Sequence, residues 1–265
     1  MSNIAYIYRI YPNKEQSVLI TKTFGCVRKV YNLMLNDRVK SYEQSRLGTG
    51  IYEKRRRKTP ADFKTEFPYL KEVDSLALCN AQLNVDTAFK NFYEKPSSGF
   101  PKFKSKHHDK RSYTTNNQDE TIRLISDKKI RLPKLKDVRI VLHRPFPPKG
   151  ILKSATISQT PAGDYYISIL FEYESDIRPV IPTPVKVIGL DYSSRSLFID
   201  SDGNNPDYPR LYRKAQAKLA KEQKKLSRRK KGGSNWNKQR IKVAKVHEKT
   251  KNQRKDFLHK VSRQI

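Results

Sequence analysis

Five short runs between Thr121 and Phe171 limit the possible folds more than any other feature. They are Thr121-Ile-Arg-Leu-Ile125, Lys129-Ile-Arg-Leu132, Val138-Arg-Ile-Val-Leu142, Lys153-Ser-Ala-Thr-Ile-Ser158 and Tyr165-Tyr-Ile-Ser-Ile-Leu-Phe171. Each alternates or is β-branched, and turn chemistry separates them at Ser126-Asp127, Pro133, Pro145 to Gly150 and Pro161-Ala-Gly-Asp164. Strands this short and this closely spaced predict antiparallel pairing into a small barrel. Ala5-Tyr-Ile-Tyr-Arg-Ile-Tyr11 alternates in the same way, closes at Pro12-Asn13, and is expected to join them.

A helical insertion separates that first strand from the rest. Asn13 can cap a helix in which Ile20, Phe24, Val27, Tyr31 and Met34 recur at helical spacing. The polar stretch from Tyr42 to Tyr52 leads into Lys54-Arg-Arg-Arg-Lys58, a connector that either contacts phosphate or is a solvated charge run. A second helix begins at Asp74 or Ser75, turns Leu76, Cys79, Leu83, Ala88 and Phe92 inward, and stops at Pro96-Ser-Ser-Gly99. The expected class is α+β: a barrel from residues 1–12 and 116–176, with 13–115 as a helical domain and basic loop set into it. Cys26 and Cys79 both fall in apolar helical patterns, which predicts reduced, buried thiols rather than a disulfide. With no run long enough for a membrane span, the expected location is the cytoplasm, at the nucleoid.

Lys and Arg number 56 against 26 Asp and Glu, a net charge of +30. Self-repulsion on that scale destabilises a compact state. It argues against an ordinary small-metabolite enzyme and for a polyanion partner, and 10% aromatic residues suit base stacking beside phosphate contact. More than half of the excess lies between Leu211 and Ile265, where 20 cations face 3 acids. This segment reads as two helices, from Pro209 to Arg229 and from Trp236 onward, broken at Lys230-Lys-Gly-Gly-Ser-Asn235. One narrow apolar stripe can dock the pair; the rest is cationic. Arg228, Arg229, Lys230, Lys231 and Lys238 are the candidate phosphate contacts, positioning nucleic acid without reading its sequence.

A second candidate surface interleaves aromatics with cations: Gly99-Phe-Pro-Lys-Phe-Lys-Ser-Lys106, then Asp109-Lys-Arg-Ser-Tyr-Thr-Thr115. Lys102, Lys104, Lys106 and Arg111 are expected to face phosphate, with Tyr113 among the nucleic-acid contacts. Phe100 and Phe103 are either anchors of the loop or stacking platforms. His107 and His108 are adjacent, so their side chains point apart; with no third ligand close by, no zinc is expected.

After a proline-rich linker, Ile177 to Pro184, the apolar run Pro184-Val-Lys-Val-Ile-Gly-Leu190 predicts a buried strand ending at Asp191. Ser196-Leu-Phe-Ile199 follows and turns at Asp200-Ser-Asp-Gly203. A carboxylate at a strand end beside a hairpin is how two-metal phosphodiester-cleaving sites begin, and such sites need further carboxylates to hold their metals about 4 Å apart. Taken alone, Asp191 reads as well as a turn cap. After Asp207 only Glu222, Glu248 and Asp256 remain, each in basic helical sequence.

Four stretches together resemble the OrfB transposase family of small insertion sequences, the TnpB proteins. They are Tyr8-Arg-Ile-Tyr-Pro-Asn-Lys-Glu-Gln16 with Phe24-Gly-Cys-Val-Arg-Lys-Val-Tyr-Asn32; Phe100-Pro-Lys-Phe-Lys-Ser-Lys106 with Ser112-Tyr-Thr-Thr115; Ile188-Gly-Leu-Asp191 with Asp202-Gly203; and Lys224-Lys-Leu-Ser-Arg-Arg-Lys230 with Asn252-Gln-Arg-Lys-Asp-Phe-Leu-His259. The resemblance implies an RNA-guided DNA endonuclease related to compact type V CRISPR effectors. It implies a β-barrel wedge domain, an inserted recognition domain, and, over 185–265, the N-terminal part of an RNase H-like (RuvC) domain. The partners it implies are a guide RNA from the transposon end and target DNA.

In that family Asp191 would match the first catalytic aspartate and a magnesium ligand. The family's glutamate, and its last aspartate behind a zinc ribbon of Cys-x-x-Cys pairs, have no counterpart before Ile265. The expectation is therefore a C-terminally truncated protein, with magnesium only in a completed site, no zinc, and no cleavage alone. A separately encoded C-terminal half is one implied partner. The alternatives are an active endonuclease once the missing part is supplied, or a nuclease-dead RNA-guided repressor of transcription.

Overall fold

The computed structural model describes residues 2–46, 57–95, 97–106, 110–173, 187–193, 195–206 and 208–265. The proline-rich linker, the paired His107 and His108, and Lys54, Arg55 and Arg56 of the basic connector lie outside the described residues. The chain divides into two compact units, Met1–Thr160 with Asp164–Ile177 and Arg178–Ile265 with Pro161–Gly163.

The first unit is built on β1 (Ser2–Tyr11), β2 (Ser112–Asn116), β3 (Arg123–Ser126), β4 (Lys129–Leu132), β5 (Lys136–Val141), β6 (Ile151–Gln159) and β7 (Tyr165–Tyr173). They form one sheet in the order β2-β6-β7-β1-β5-β4-β3, with every ladder antiparallel. All five runs expected as strands are present, and the N-terminal strand lies in mid-sheet between β5 and β7. Alternation does what the pleat requires: Tyr8 and Ile10 are buried while Ile7 and Tyr11 are exposed. Among the described residues β2 and β3 are the two sheet edges. β2 itself carries sequence that reads as basic loop.

α1 (Lys14–Arg46) is one continuous helix. Its start is a reciprocal cap: the Gln16 N–H donates to Asn13 Oδ1 at 2.8 Å and the Asn13 N–H to Gln16 Oε1 at 3.0 Å. Ile20, Phe24, Val27, Tyr31 and Met34 are all buried, as their spacing predicts. After α2 (Pro60–Glu66) and a 3-10 turn over Pro68–Lys71 comes α3 (Ser75–Glu94), where Asp74 accepts from the Leu76 N–H at 3.1 Å. Its buried face is Ala77, Leu78, Ala81 and Val85, on the side of the helix opposite Cys79 and Leu83, which the sequence reading turns inward. Leu83 is 54% exposed, and Cys79 is exposed rather than buried; only Cys26 is an interior thiol. The helix is apolar nearly all round at its start, so two stripes compete, and the one with small alanines allows close approach to α1. Helices and sheet share one core that runs from Tyr8, Val138 and Ile169 to Leu35, Leu78 and Val85.

In the second unit β8 (Leu190–Ser193) and β9 (Leu197–Asp200) pair as a hairpin. The segment leading to Asp191 is not buried: Val187 is 84% and Leu190 51% exposed. Two strands by themselves bury little. α4 (Leu211–Ser227) and α5 (Ser234–Val261) then fold back on one another, with Leu219, Val243 and Val261 buried. Gly232, at φ +86°, supplies the left-handed residue in their connecting turn. No helix among the described residues is long and apolar enough to cross a membrane.

Candidate nucleic-acid interface

The helical hairpin is held by a polar lock as much as by its thin apolar seam. Gln239, 3% exposed, donates from Nε2 to the Glu222 carbonyl at 3.1 Å and to its carboxylate at 2.6 Å. Lys225 donates to the same carboxylate at 3.1 Å. The Gln239 hydrogen bond first, and Lys225 second, hold the Glu222 carboxyl below its ordinary range. The lock fixes helix register and uses one of the few acids internally. Asp256 is paired along its own helix with Lys260 at 2.8 Å. Arg228, Arg229, Lys230, Lys231 and Lys238 are all exposed at and just beyond the turn, as a phosphate surface requires.

The strap from Phe100 to Lys106 is pinned to α1 by its backbone. Asn32 Nδ2 donates to the Lys104 carbonyl at 2.9 Å, and the Lys104 N–H donates to Asn32 Oδ1 at 2.8 Å. Sequence reasoning missed this clamp, whose only signal was an Asn one residue beyond the apolar Tyr31. Phe100 packs edge-on against Phe89 at 5.7 Å and Phe92 at 5.4 Å, yet stays half exposed. It is an anchor with one open face. Phe103 is 58% exposed, and Lys102 and Lys106 are exposed beside it. Lys104 instead lays its ammonium 4.3 Å above the Tyr31 ring, a contact that orders it. Arg111 is exposed and donates to Gln159 Oε1 at 2.9 Å.

Tyr113 does not belong to that surface. It is 5% exposed, its ring sits 5.8 Å from Phe24, and burial, with nearby Asp74 second, raises its hydroxyl pKa. The alternation of β2 turns Tyr113 and Thr115 into the core, which the reading of this segment as loop could not anticipate.

Asp191 is the second residue of β8, opposite Ile199, and is exposed. Asp200 at the end of β9 is committed to the turn, accepting from the N–H groups of Asp202 at 3.0 Å and Asn204 at 2.7 Å. Among the described residues no three His, Cys, Asp or Glu side chains converge so as to hold a metal ion. The described donor set does not fit a magnesium centre.

Comparison with known proteins agrees along the length of the chain. The family described as "Probable transposase", OrfB of the IS605 type, matches residues 168–265, and its "Helix-turn-helix domain" matches residues 1–46. The described part of that segment holds β1 and the single helix α1. A "Putative RNA-guided DNA endonuclease" of Streptomyces pristinaespiralis is 33% identical over 98% of this chain and 63% of its own length. The "Putative RNA-guided DNA endonuclease InsQ" of Escherichia coli is 29% identical over 97% of this chain and 62% of its own. The chain thus spans about three fifths of the length of these relatives. "Virulence protein VsdF" of Salmonella dublin is 35% identical over 37% of this chain and 89% of its own.

Proposed function

The chain belongs to the OrfB family of IS605-type transposases, and on that premise we propose that it binds a guide RNA and, through it, target DNA. The observation that carries the reading is the helical hairpin: its turn presents Arg228, Arg229, Lys230 and Lys231 exposed. Such a surface follows a phosphate backbone and reads no bases, so sequence choice falls to pairing between guide and target. The strap adds open aromatic faces at Phe100 and Phe103 beside Lys102 and Lys106, which suits stacking with phosphate contact.

In this reading the seven-stranded sheet is the wedge domain, a β-barrel in the family, and the helices between β1 and β2 form the recognition domain. Residues 185–265 contribute to an RNase H-like nuclease domain, with Asp191 in the place of its first carboxylate. Recognition, rather than cleavage, is the activity assigned to the residues described.

The test is to co-express the chain with its native transcript region, purify it, and sequence the RNA that comes with it. One discrete RNA from the transposon end, followed by a variable guide, is the expected result. A smear of cellular RNA would leave a basic protein without guided recognition and would overturn the proposal.

A further inference from the structure

Strand register gathers another cationic surface on the outward face of the sheet. Arg9 and Tyr11 alternate along β1 with buried Tyr8 and Ile10 and therefore point away from the core. Tyr11 stands opposite Arg139 of β5, and Arg9 opposite Tyr166 of β7. The Arg9 guanidinium lies 5.3 Å from the Tyr11 ring centroid and 5.6 Å from that of Tyr166; Arg139 reaches Tyr11 at 5.5 Å. Ring and guanidinium alternate from Tyr166 through Arg9 and Tyr11 to Arg139, with Arg9 anchored by Asp164 at 2.5 Å. The far end is open. Arg139 is exposed, Tyr11 is 46% exposed, and among the described residues Arg139 has no ion pair.

Beside this stack the sheet opposes cation to cation. Lys129 faces Arg139, and Arg123 faces Arg131. Like charges directly opposite destabilise an antiparallel pair; here Asp137 pairs with Arg131 at 2.7 Å and also attracts Lys129 and Arg123, one carboxylate among four cations. Keeping such pairs on an exposed face makes sense where an anion is received. Two residues along β7 from Tyr166, an adjacent outward row runs from Ile7 of β1 through Ser168, Thr156 and Thr114, in register across β7, β6 and β2. Their short hydroxyls can both donate and accept, and those of Thr114 and Thr156 are 2.8 Å apart.

We propose that this face binds single-stranded RNA. Bases extend the stack at Tyr11 and Arg139, phosphates meet Lys129 and Arg123, and the hydroxyl row meets ribose 2′-OH groups. An acidic peptide would satisfy the cations but has no planes to add to a stack of rings and guanidinium groups. The inference rests on the nucleic-acid reading above and adds residues that neither the hairpin nor the strap supplies.

Fluorescence anisotropy of the full chain with labelled oligouridine and oligodeoxythymidine tests it. Tyr11→Ala and Arg139→Gln should each weaken oligouridine binding about ten-fold, the loss expected for one stacked base. Tyr11→Phe keeps the ring and should bind as the parent does, while Thr156→Val should narrow the preference for oligouridine. Should Tyr11→Ala fail to fold, the exposed Arg139→Gln decides. RNA binding undiminished in both variants overturns this proposal and leaves the nucleic-acid reading standing; no RNA binding by the parent overturns both. Equal affinity for the two oligomers, or loss of the Tyr11 and Arg139 effects on RNA with the same effects seen for polyglutamate, also overturns it.

Discussion

The side chain of Gln16 works in two directions. Its Oε1 accepts from the Asn13 N–H at 3.0 Å, closing the cap of α1, while its Nε2 donates to the carbonyls of Leu135 at 3.0 Å and Asp137 at 2.9 Å. Those carbonyls lie within and just after a turn in which Lys134 and Lys136 both hold left-handed φ, so one amide ties the helix start to a strained connection in the sheet. Gln16→Ala should cost about 2–3 kcal/mol, roughly one for the cap and one for each part-buried bond. Gln16→Glu keeps the acceptor but turns a carboxylate toward two carbonyl oxygens, so it should be no milder. Urea midpoints followed by far-UV circular dichroism measure both, and a near-native Gln16→Glu would show that the carbonyl bonds contribute nothing. Glu222 makes a pH-dependent case. Its carboxyl is held below the usual range by Gln239 and then Lys225, so its contribution is present above the unfolded pKa, about 4.3, and lost as pH falls through the lower folded value. Acidification should therefore loosen the α4–α5 pair in the parent chain. Glu222→Gln should flatten that acid limb of the helicity curve; an unchanged limb would mean that the lock does not couple to folding.

At the scale of elements, the hairpin gives the clearest quantitative expectation. Each phosphate contact releases condensed counterions, with a slope of about 0.7 per contact on single strands. Replacing Lys230 and Lys231 together by alanine should lower the salt slope of RNA binding by about 1 to 2, with little change in base preference. A weakened affinity at unchanged slope would place these lysines outside the contact. The elements themselves were largely legible because burial and period coincide: β4 falls on Lys129–Leu132 as read, and the α1 stripe from Ile20 to Met34 is buried throughout. Where two periodic readings compete, sequence cannot choose. In α3 the inward face was settled by tertiary packing of Ala77, Ala81 and Val85, so Cys79 and Leu83 turned outward. β2 escaped notice because Ser112–Asn116 has no apolar residue but Tyr113, and it is made a strand by its partner β6. The cationic turn was readable from charge alone. The Arg9 and Tyr11 stack was not, since it exists only through the register of β1 with β5 and β7.

For the whole molecule, the contrast in what each unit buries sets the order of unfolding. The first unit has a continuous core that includes Tyr8, Leu35, Leu70, Leu78 and Phe171, all nearly inaccessible. The helical hairpin buries Leu219, Val243 and Val261, plus the Gln239 lock, beneath a segment of 20 cations and 3 acids. Few buried contacts and strong self-repulsion both lower local stability. The one tryptophan of the chain, Trp236, stands in the first turn of α5, so its emission reports this hairpin, whereas buried Tyr8, Tyr31 and Tyr113 report the first unit. Urea should shift the tryptophan signal first and the tyrosine near-UV signal later. Raising salt should move the tryptophan midpoint upward by screening the repulsion, and the tyrosine midpoint much less. A polyphosphate that binds only the folded hairpin should raise the tryptophan midpoint further, by mass action. Coincident transitions that ignore both salt and polyphosphate would instead mean that the hairpin's folding is governed by the first unit, and that its charge is not held in readiness for a polyanion.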